Sequence, residues 1–192
     1  PLQRRTIAGA AMDMWVPFSK AVSDEMPETK IVHDKFHISA YLNKAVDQVR
    51  RQENRVLLNQ LDRRLIGTKY DWLRNISDLS GAGICVIASM LKQGEKVARA
   101  WLLKEVFREF WELYERDAAK LYLKQWCNRA MRSKIDPIKK IAEMLRRHEE
   151  RILNYFDHRI TSAKAEGINS KIKTIQSNAR GFRSFKNLRI NI

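Results

Sequence analysis

The stretch RTIAGAAMDMWVPFSKAVSDEMPETKIVHD, residues 5–34, decides how the N-terminal part of the chain folds. Residues 5–12 form a short apolar run, and residues 29–33 form a second short run that is rich in β-branched side chains. Both runs are typical of short strands. Between them, Pro17 suits the first turn of a helix and Pro27 stops that helix. The stretch therefore predicts a strand, a helix and a second strand.

Two aspartates, Asp13 and Asp34, come directly after the two predicted strands. The crossover of a strand–helix–strand unit is right-handed and its strands are parallel. The carboxyl ends of parallel strands lie at the same edge of the sheet, so we expect these aspartates to be neighbours. Each of them could instead serve only as the N-cap of the helix that follows.

Most of the remaining sequence has helical periodicity, with apolar residues at three- and four-residue steps. A long helix is predicted from Ile38 to about Ile66, before Gly67, and a looser polar connection over residues 68–83. A second helical block has the stripe Leu103, Phe107, Phe110, Tyr114, Ala118 and Leu121. A third begins at Asp136-Pro137 and is lined by Ile138, Ile141, Leu145, Ile152 and Phe156. The predicted fold is mainly α with a small β part.

The last predicted helix covers residues 162–180 and carries one acid near its start, Glu166. Its predicted buried stripe is Ile168, Ile172, Ile175 and Ala179, with Gly181 as the C-cap. Glu166 lies off this stripe, on the face that also presents Asn169 and Lys173. An acid at that position either complements the helix dipole or serves as a ligand for a hard cation such as Mg²⁺.

The charge balance favours a polyanionic partner. The 192 residues include 37 Lys and Arg and 22 Asp and Glu, so the net charge is 37 − 22 = +15. Nucleic acid is the first candidate for a surplus of that size and an acidic membrane face the second. A solvated basic surface that serves only solubility is the alternative.

The cysteines and the apolar runs bear on the compartment. Cys85 and Cys127 lie far apart and lack metal-ligand spacing, which fits a reducing cytosol. The longest apolar run, residues 81–91, is too short to span a bilayer. We therefore expect a soluble, cytoplasmic protein without a membrane partner.

Four segments carry a resemblance to a known family: MDMWVPFSKAV (12–22), IVHDKFHISAYLNKAVDQVRR (31–51), LLKEVFREFWELY (102–114) and TSAKAEGINSKIKTIQSNARGFR (161–183). Together they resemble the C-terminal half of bacterial DDE transposases of the ISL-three insertion-sequence family. The resemblance covers residues 9–190, and its most specific parts are DxFH at 34–37 and AEGINSKIK at 165–173 with GFR at 181–183.

The resemblance implies a β-α-β remnant of an RNase H-like core, a helical insertion and a C-terminal catalytic helix. Asp13 matches the second catalytic acid and Glu166 the third, and both would hold metal, as two Mg²⁺ or Mn²⁺ ions. Asp34 and His37 match an accessory DxxH pattern. Nothing before Asp13 matches the first acid, which is expected upstream of Pro1, so the chain alone is expected to be inactive.

The implied organisation is a partial core over residues 1–66, a helical insertion over 67–158, and a core helix with a basic tail over 159–192. The implied partners are transposon-end and target DNA and a second copy of the protein, in the bacterial cytoplasm near the nucleoid. The candidate DNA-binding residues are Lys171, Lys173, Arg180, Arg183, Lys186, Arg189 and Trp126.

Two other functions stay open on the sequence. The chain could be a non-catalytic helical module for DNA binding or assembly, which would tolerate Asp13→Asn and Glu166→Gln. It could also belong to a different RNase H-like nuclease or resolvase, which would cut DNA without joining ends.

Overall fold

The computed structural model describes residues 7–179, apart from the side chains of residues 164 and 165. The elements in chain order are β1 (Gly9–Met12), α1 (Val16–Glu25), β2 (Lys30–His33), α2 (Lys35–Asn59), α3 (Lys69–Leu73), α4 (Gly81–Lys92), α5 (Lys96–Arg108), α6 (Arg116–Arg132), α7 (Asp136–Arg147), α8 (Glu149–His158) and α9 (Ala163–Asn178). Short 3-10 turns cover Ile76–Asp78 and Glu109–Glu112. The prediction of a mainly α protein with a small β part is confirmed.

The strand–helix–strand unit forms as the sequence predicts. Strands β1 and β2 are parallel, with a register that runs from Gly9 opposite Lys30 to Met12 opposite His33. Helix α8 packs against β2, and the Asn154 side-chain amide donates to the Ile31 carbonyl at 2.8 Å. This packing buries the end of β2 and fixes the sheet edge where both strands end.

Helix α2 is shorter than predicted, because it ends at Asn59 and not near Ile66. Leu61 adopts a left-handed backbone conformation with φ 60° and is 91% exposed. The chain then folds back and buries Leu65 completely. The apolar periodicity of the sequence extends past the true end of α2 because Leu65 is also apolar. Leu65 is apolar because the returning chain buries it in the core, and not because it lies on the stripe of α2.

The segment predicted as a loose connection over residues 68–83 contains structure of its own. Helix α3 buries Trp72 fully, and the Trp72 indole N–H donates to the Thr68 hydroxyl at 3.0 Å. Helix α4 begins at Gly81, with the Ser80 hydroxyl accepting from the Gly83 amide. Burying one large apolar side chain such as Trp72 contributes about 1.5–3 kcal/mol, which a short helix needs in order to persist.

The predicted stripe from Leu103 to Leu121 is wrong beyond Phe110. Leu103, Phe107 and Phe110 are buried, whereas Tyr114 is 85% and Leu121 58% exposed. A 3-10 turn and an extended residue, Leu113, separate α5 from α6. The break shifts the helical phase, so that α6 buries Ala119, Leu123, Trp126, Cys127 and Ala130 instead.

The block after Asp136-Pro137 consists of two helices, α7 and α8, that meet at His148. The five apolar residues expected to line it are all buried. They join one apolar core that extends from β2 to α8 through α2, α5 and α6. No helix within residues 7–179 is long and apolar enough to cross a membrane.

Helix α9 forms where predicted, but its expected buried stripe is wrong. Ile168 is 58% exposed, Ile172 and Ile175 are half-buried and Ala179 is exposed. The predicted C-cap, Gly181, lies outside the described residues. The described part of α9 is attached at its start, and the contacts that hold it there belong to the candidate site.

Candidate active site

The carboxyl ends of β1 and β2 bring Asp13 and Asp34 to one edge of the sheet, as the sequence predicts. Met12 and His33 are register partners, and the Asp34 amide donates to the Met12 carbonyl at 3.0 Å. Asp13 follows Met12 directly, and its Oδ1 accepts from the Met14 amide at 2.6 Å. The side chain of Asp13 is about one-third exposed, so a ligand from solvent can reach it.

Asp34 is a buried N-cap that also holds helix α9. Only 1% of the residue is exposed. Its Oδ1 accepts from the Phe36 amide at 2.7 Å, which caps α2, and its Oδ2 accepts from the Ser162 amide just before α9. One carboxylate therefore fixes the starts of two helices relative to each other. This fits a positioning role for Asp34.

His37 lies between the two acids that the sequence singled out. Its Nδ1 is 3.7 Å from Asp13 Oδ1, and its Nε2 is 3.4 Å from Glu166 Oε1. Asp13 comes from the end of β1 and Glu166 from the first turn of α9, so more than a hundred residues separate them in the chain. The fold therefore brings both carboxylates to opposite nitrogens of one imidazole.

The serine that begins α9 holds Glu166. The Ser162 hydroxyl donates to Glu166 Oε1, and the Ser162 amide is bound by Asp34. The Glu166 side chain is 51% exposed. The first turn of α9, which carries Glu166, is therefore fixed in position, while the Glu166 carboxylate stays accessible to solvent.

Tyr41 is a member of the site that the sequence interpretation missed. It stands one turn after His37 on α2, close enough to Asp13 to be influenced by its carboxylate. Burial and the negative charge of Asp13 raise the pKa of Tyr41, so the phenol keeps its proton and can donate. The spacing of Asp34, His37 and Tyr41, at i, i+3 and i+7, could have revealed that all three share one helical face.

A second histidine near the sheet edge, His33, is not part of the exposed site. It is fully buried, and its ring meets that of His148 edge-on with centroids 4.9 Å apart. Burial, then the nearby His148 and Arg151, lower the pKa of His33 to about 4. His33 is therefore neutral at neutral pH, and His37 is the imidazole that faces the carboxylates.

The donor set suits a hard cation only in part. Asp13 and Glu166 are two accessible carboxylates on backbone positions that the fold fixes. They offer the oxygen ligands that Mg²⁺ and Mn²⁺ prefer. Across residues 7–179, however, no group of three or more His, Cys, Asp and Glu side chains is arranged to hold a metal ion. The described residues thus supply two of the protein ligands that a metal site would need.

The candidate DNA-binding residues differ in their exposure, and some lie outside the described residues. Lys171 and Lys173 are exposed on α9, whereas Arg180, Arg183, Lys186 and Arg189 lie outside the described residues. The prediction that Trp126 binds DNA is wrong, because the residue is 2% exposed and its indole N–H donates to the Leu103 carbonyl at 2.9 Å. It packs on Phe107 in the core.

Replacing Asp34 with Asn is expected to loosen the start of α9. The Phe36 and Ser162 amides bind different oxygens of Asp34, and asparagine replaces one of these oxygens with an NH2 group that cannot accept. Hydrogen bonds to a charged group contribute about 1.5–3 kcal/mol, and we expect the Ser162 amide to exchange roughly tenfold faster or more. Asp136→Asn, in the exposed first turn of α7, is the control. Unchanged exchange of Ser162 in Asp34→Asn would show that α9 is held by other contacts.

Comparison with known proteins identifies the class. A family model of ISL3 insertion-sequence proteins, described as a transposase, matches residues 1–192. The chain belongs to this family of transposases.

Two curated relatives illustrate the similarity. The transposase for insertion sequence element IS1001 of Bordetella parapertussis is 27% identical over 187 residues, which cover 95% of this chain and 46% of that protein. The transposase for IS1557 of Mycobacterium tuberculosis is 26% identical over 193 aligned residues, 88% of this chain and 43% of that protein. The chain thus spans about half the length of these relatives. No solved structure has significant similarity to it.

Proposed function

We propose that this chain is the C-terminal part of a DDE transposase that cleaves DNA and transfers the cut strand in a Mg²⁺- or Mn²⁺-dependent reaction. Asp13 and Glu166 are the catalytic metal ligands of the proposal. The observation that carries it is that both carboxylates, from opposite ends of the described chain, lie within 3.7 Å of the two ring nitrogens of His37.

The side chains of the site divide the work between holding and orienting. Asp13 and Glu166 offer their oxygens to the ions, and Tyr41, which lies near Asp13 and keeps its proton, helps to orient that carboxylate. Asp34 holds the start of α9, and Ser162 orients Glu166. When bound, the ions would polarise a phosphodiester and activate its attacker, first a water and then a DNA 3′-hydroxyl. His37 acts from between the acids by keeping their carboxylates apart and aligned.

A third carboxylate is required to complete the site. The relatives are about twice as long as this chain. We propose that the first acid lies in a part of the protein that corresponds to their remaining length. That part would also complete an RNase H-like sheet beside β1. Without it, we expect the 192 residues to bind DNA weakly and in a salt-sensitive way, but neither to cut nor to join it.

The basic residues supply the contacts to the DNA backbone. Lys171 and Lys173 extend from the helix that carries Glu166, and Arg180, Arg183, Lys186 and Arg189 follow them in sequence. Such residues position the phosphates without reading the bases. The proposal places the protein in the bacterial cytoplasm at the nucleoid, with transposon ends and target DNA as partners and a second copy bound across the two ends.

A strand-transfer assay with the complete transposase polypeptide and a labelled transposon end tests the proposal. We expect Mg²⁺ or Mn²⁺ to yield a product in which the labelled 3′ end is joined to target DNA, and EDTA to abolish it. A labelled end that is cut but never joined would point to a nuclease or resolvase instead.

A further inference from the structure

A strip of alternating aromatic and cationic side chains runs beside the acid cluster. Lys35 Nζ lies 5.6 Å from the ring centre of Phe36 and 5.8 Å from that of Tyr155. On the other side, the Arg159 guanidinium lies 5.3 Å from Tyr155 and 5.5 Å from Tyr114. The order along the strip is Phe36, Lys35, Tyr155, Arg159 and Tyr114.

The two ends of the strip are exposed to solvent. Phe36 is 49% and Tyr114 85% exposed, whereas Tyr155 in the middle is 7% exposed and anchors the strip in the core. The exposed faces of Phe36 and Tyr114 are accessible to a base that could stack on them. Each cation of the strip therefore stands beside one exposed ring and the buried Tyr155, an arrangement that suits the binding of nucleic acid.

Arg159 has a backbone conformation that is unfavourable for a residue with a side chain, and its side chain makes specific contacts there. It ends α8 with φ 51° and ψ 32°, the left-handed conformation in which glycine is usual. A residue with a Cβ costs roughly 1 kcal/mol there. The guanidinium is fixed by Nη2, which donates to the carbonyls of Leu113 at 2.7 Å and Tyr114 at 3.1 Å. These bonds hold the loop that presents Tyr114 against the end of α8.

The strip is connected through the backbone to the candidate catalytic residues at two points, Phe36 and Arg159. Phe36 immediately precedes His37, and its amide is bound by Asp34. Arg159 stands three residues before Ser162, whose amide is bound by the same Asp34 and whose hydroxyl holds Glu166. A DNA strand bound at the acids would therefore pass close to the strip.

We propose that this strip binds an unpaired segment of the DNA strand next to the phosphate that reacts. The rings of Phe36 and Tyr114 stack on unpaired bases, and Lys35 and Arg159 contact the intervening phosphates. Duplex DNA hides the faces of its internal bases, so such bases can stack on these rings only when they are out of the helix. The proposal rests on the proposed function for the identity of the strand, but not for the stacking itself.

The test measures binding without metal, so that it is independent of catalysis. The 192-residue chain in EDTA is titrated into a single-stranded oligonucleotide that contains 2-aminopurine, and into the matching duplex. We expect Phe36→Leu and Tyr114→Leu each to weaken single-strand binding on the order of tenfold and to reduce the quenching of 2-aminopurine, with duplex binding unchanged. Tyr114→Phe keeps the ring and is expected to behave like the wild type.

Tyr70→Leu is the matched control, because Tyr70 is 65% exposed and has Lys69 5.6 Å from its ring but lies outside the strip. Leucine variants that bind and quench like the wild type would overturn the proposal. So would an equal loss of single-strand and duplex binding, which would mean that the strip contacts only the backbone. Failure of strand transfer with stacking intact would instead refute the proposed function alone.

Discussion

Glu166→Gln and Asp13→Asn are each expected to reduce strand transfer by more than about 100-fold in the complete transposase. Loss of a residue that only orients a metal ligand costs about 10–100-fold, and loss of a ligand itself should cost more. Both substitutions keep the size of the side chain and remove its charge. Because the side chains are partly exposed, we expect the fold and the metal-free DNA affinity to be preserved.

The controls for this experiment replace acids of the same type elsewhere. Asp24→Asn on α1 and Glu143→Gln on α7 change exposed carboxylates outside the cluster and should leave strand transfer within about twofold of the wild type. Strand transfer that survives both Asp13→Asn and Glu166→Gln would establish the alternative, a non-catalytic module for DNA binding or assembly.

The second large effect is on stability. Trp126→Ala is expected to lower the free energy of unfolding by about 3–5 kcal/mol, because it removes a buried indole and leaves a cavity. The ring packs on Phe107 with centroids 4.8 Å apart, and the vacated Leu103 carbonyl loses its donor. Urea unfolding followed by circular dichroism measures the change.

Trp15→Ala is the matched control for Trp126→Ala. Trp15 is 53% exposed and touches Phe18 at the surface, so its loss should change the free energy of unfolding by about 0.5 kcal/mol or less. If Trp126→Ala unfolded like the wild type and bound single-stranded DNA more weakly, then Trp126 would be a DNA contact after all and the buried position assigned to it would be wrong.

The sequence predicted the sheet and its edge well because the signals there are local. Apolar runs that end at Asp13 and Asp34, with Pro17 and Pro27 between them, leave few arrangements open, and parallel strands then place the two aspartates together. The start of α7 at Asp136-Pro137 was predictable for the same reason, since proline fixes the first turn.

Other features depend on tertiary contacts that periodicity does not encode. The stripe beyond Phe110 changes phase because a 3-10 turn intervenes, and this turn has no strong sequence marker. Trp126 carries basic neighbours in sequence, yet α6 turns its ring inward. The position of Tyr41 against Asp13 requires the actual distance between β1 and α2, which a sequence pattern cannot supply.

In the proposed site, Asp13 and Glu166 bind the same metal ions beside His37. The most direct test of this binding is the broadening of histidine NMR signals by Mn²⁺ in the complete transposase. We predict that the His37 signals broaden first, ahead of those of His158, which lies against Gly9 at the other end of β1, and that Asp13→Asn or Glu166→Gln abolishes this effect. Two results would contradict this site: His37 signals that stay sharp in the wild type, or His37 signals that broaden in the two variants as much as in the wild type.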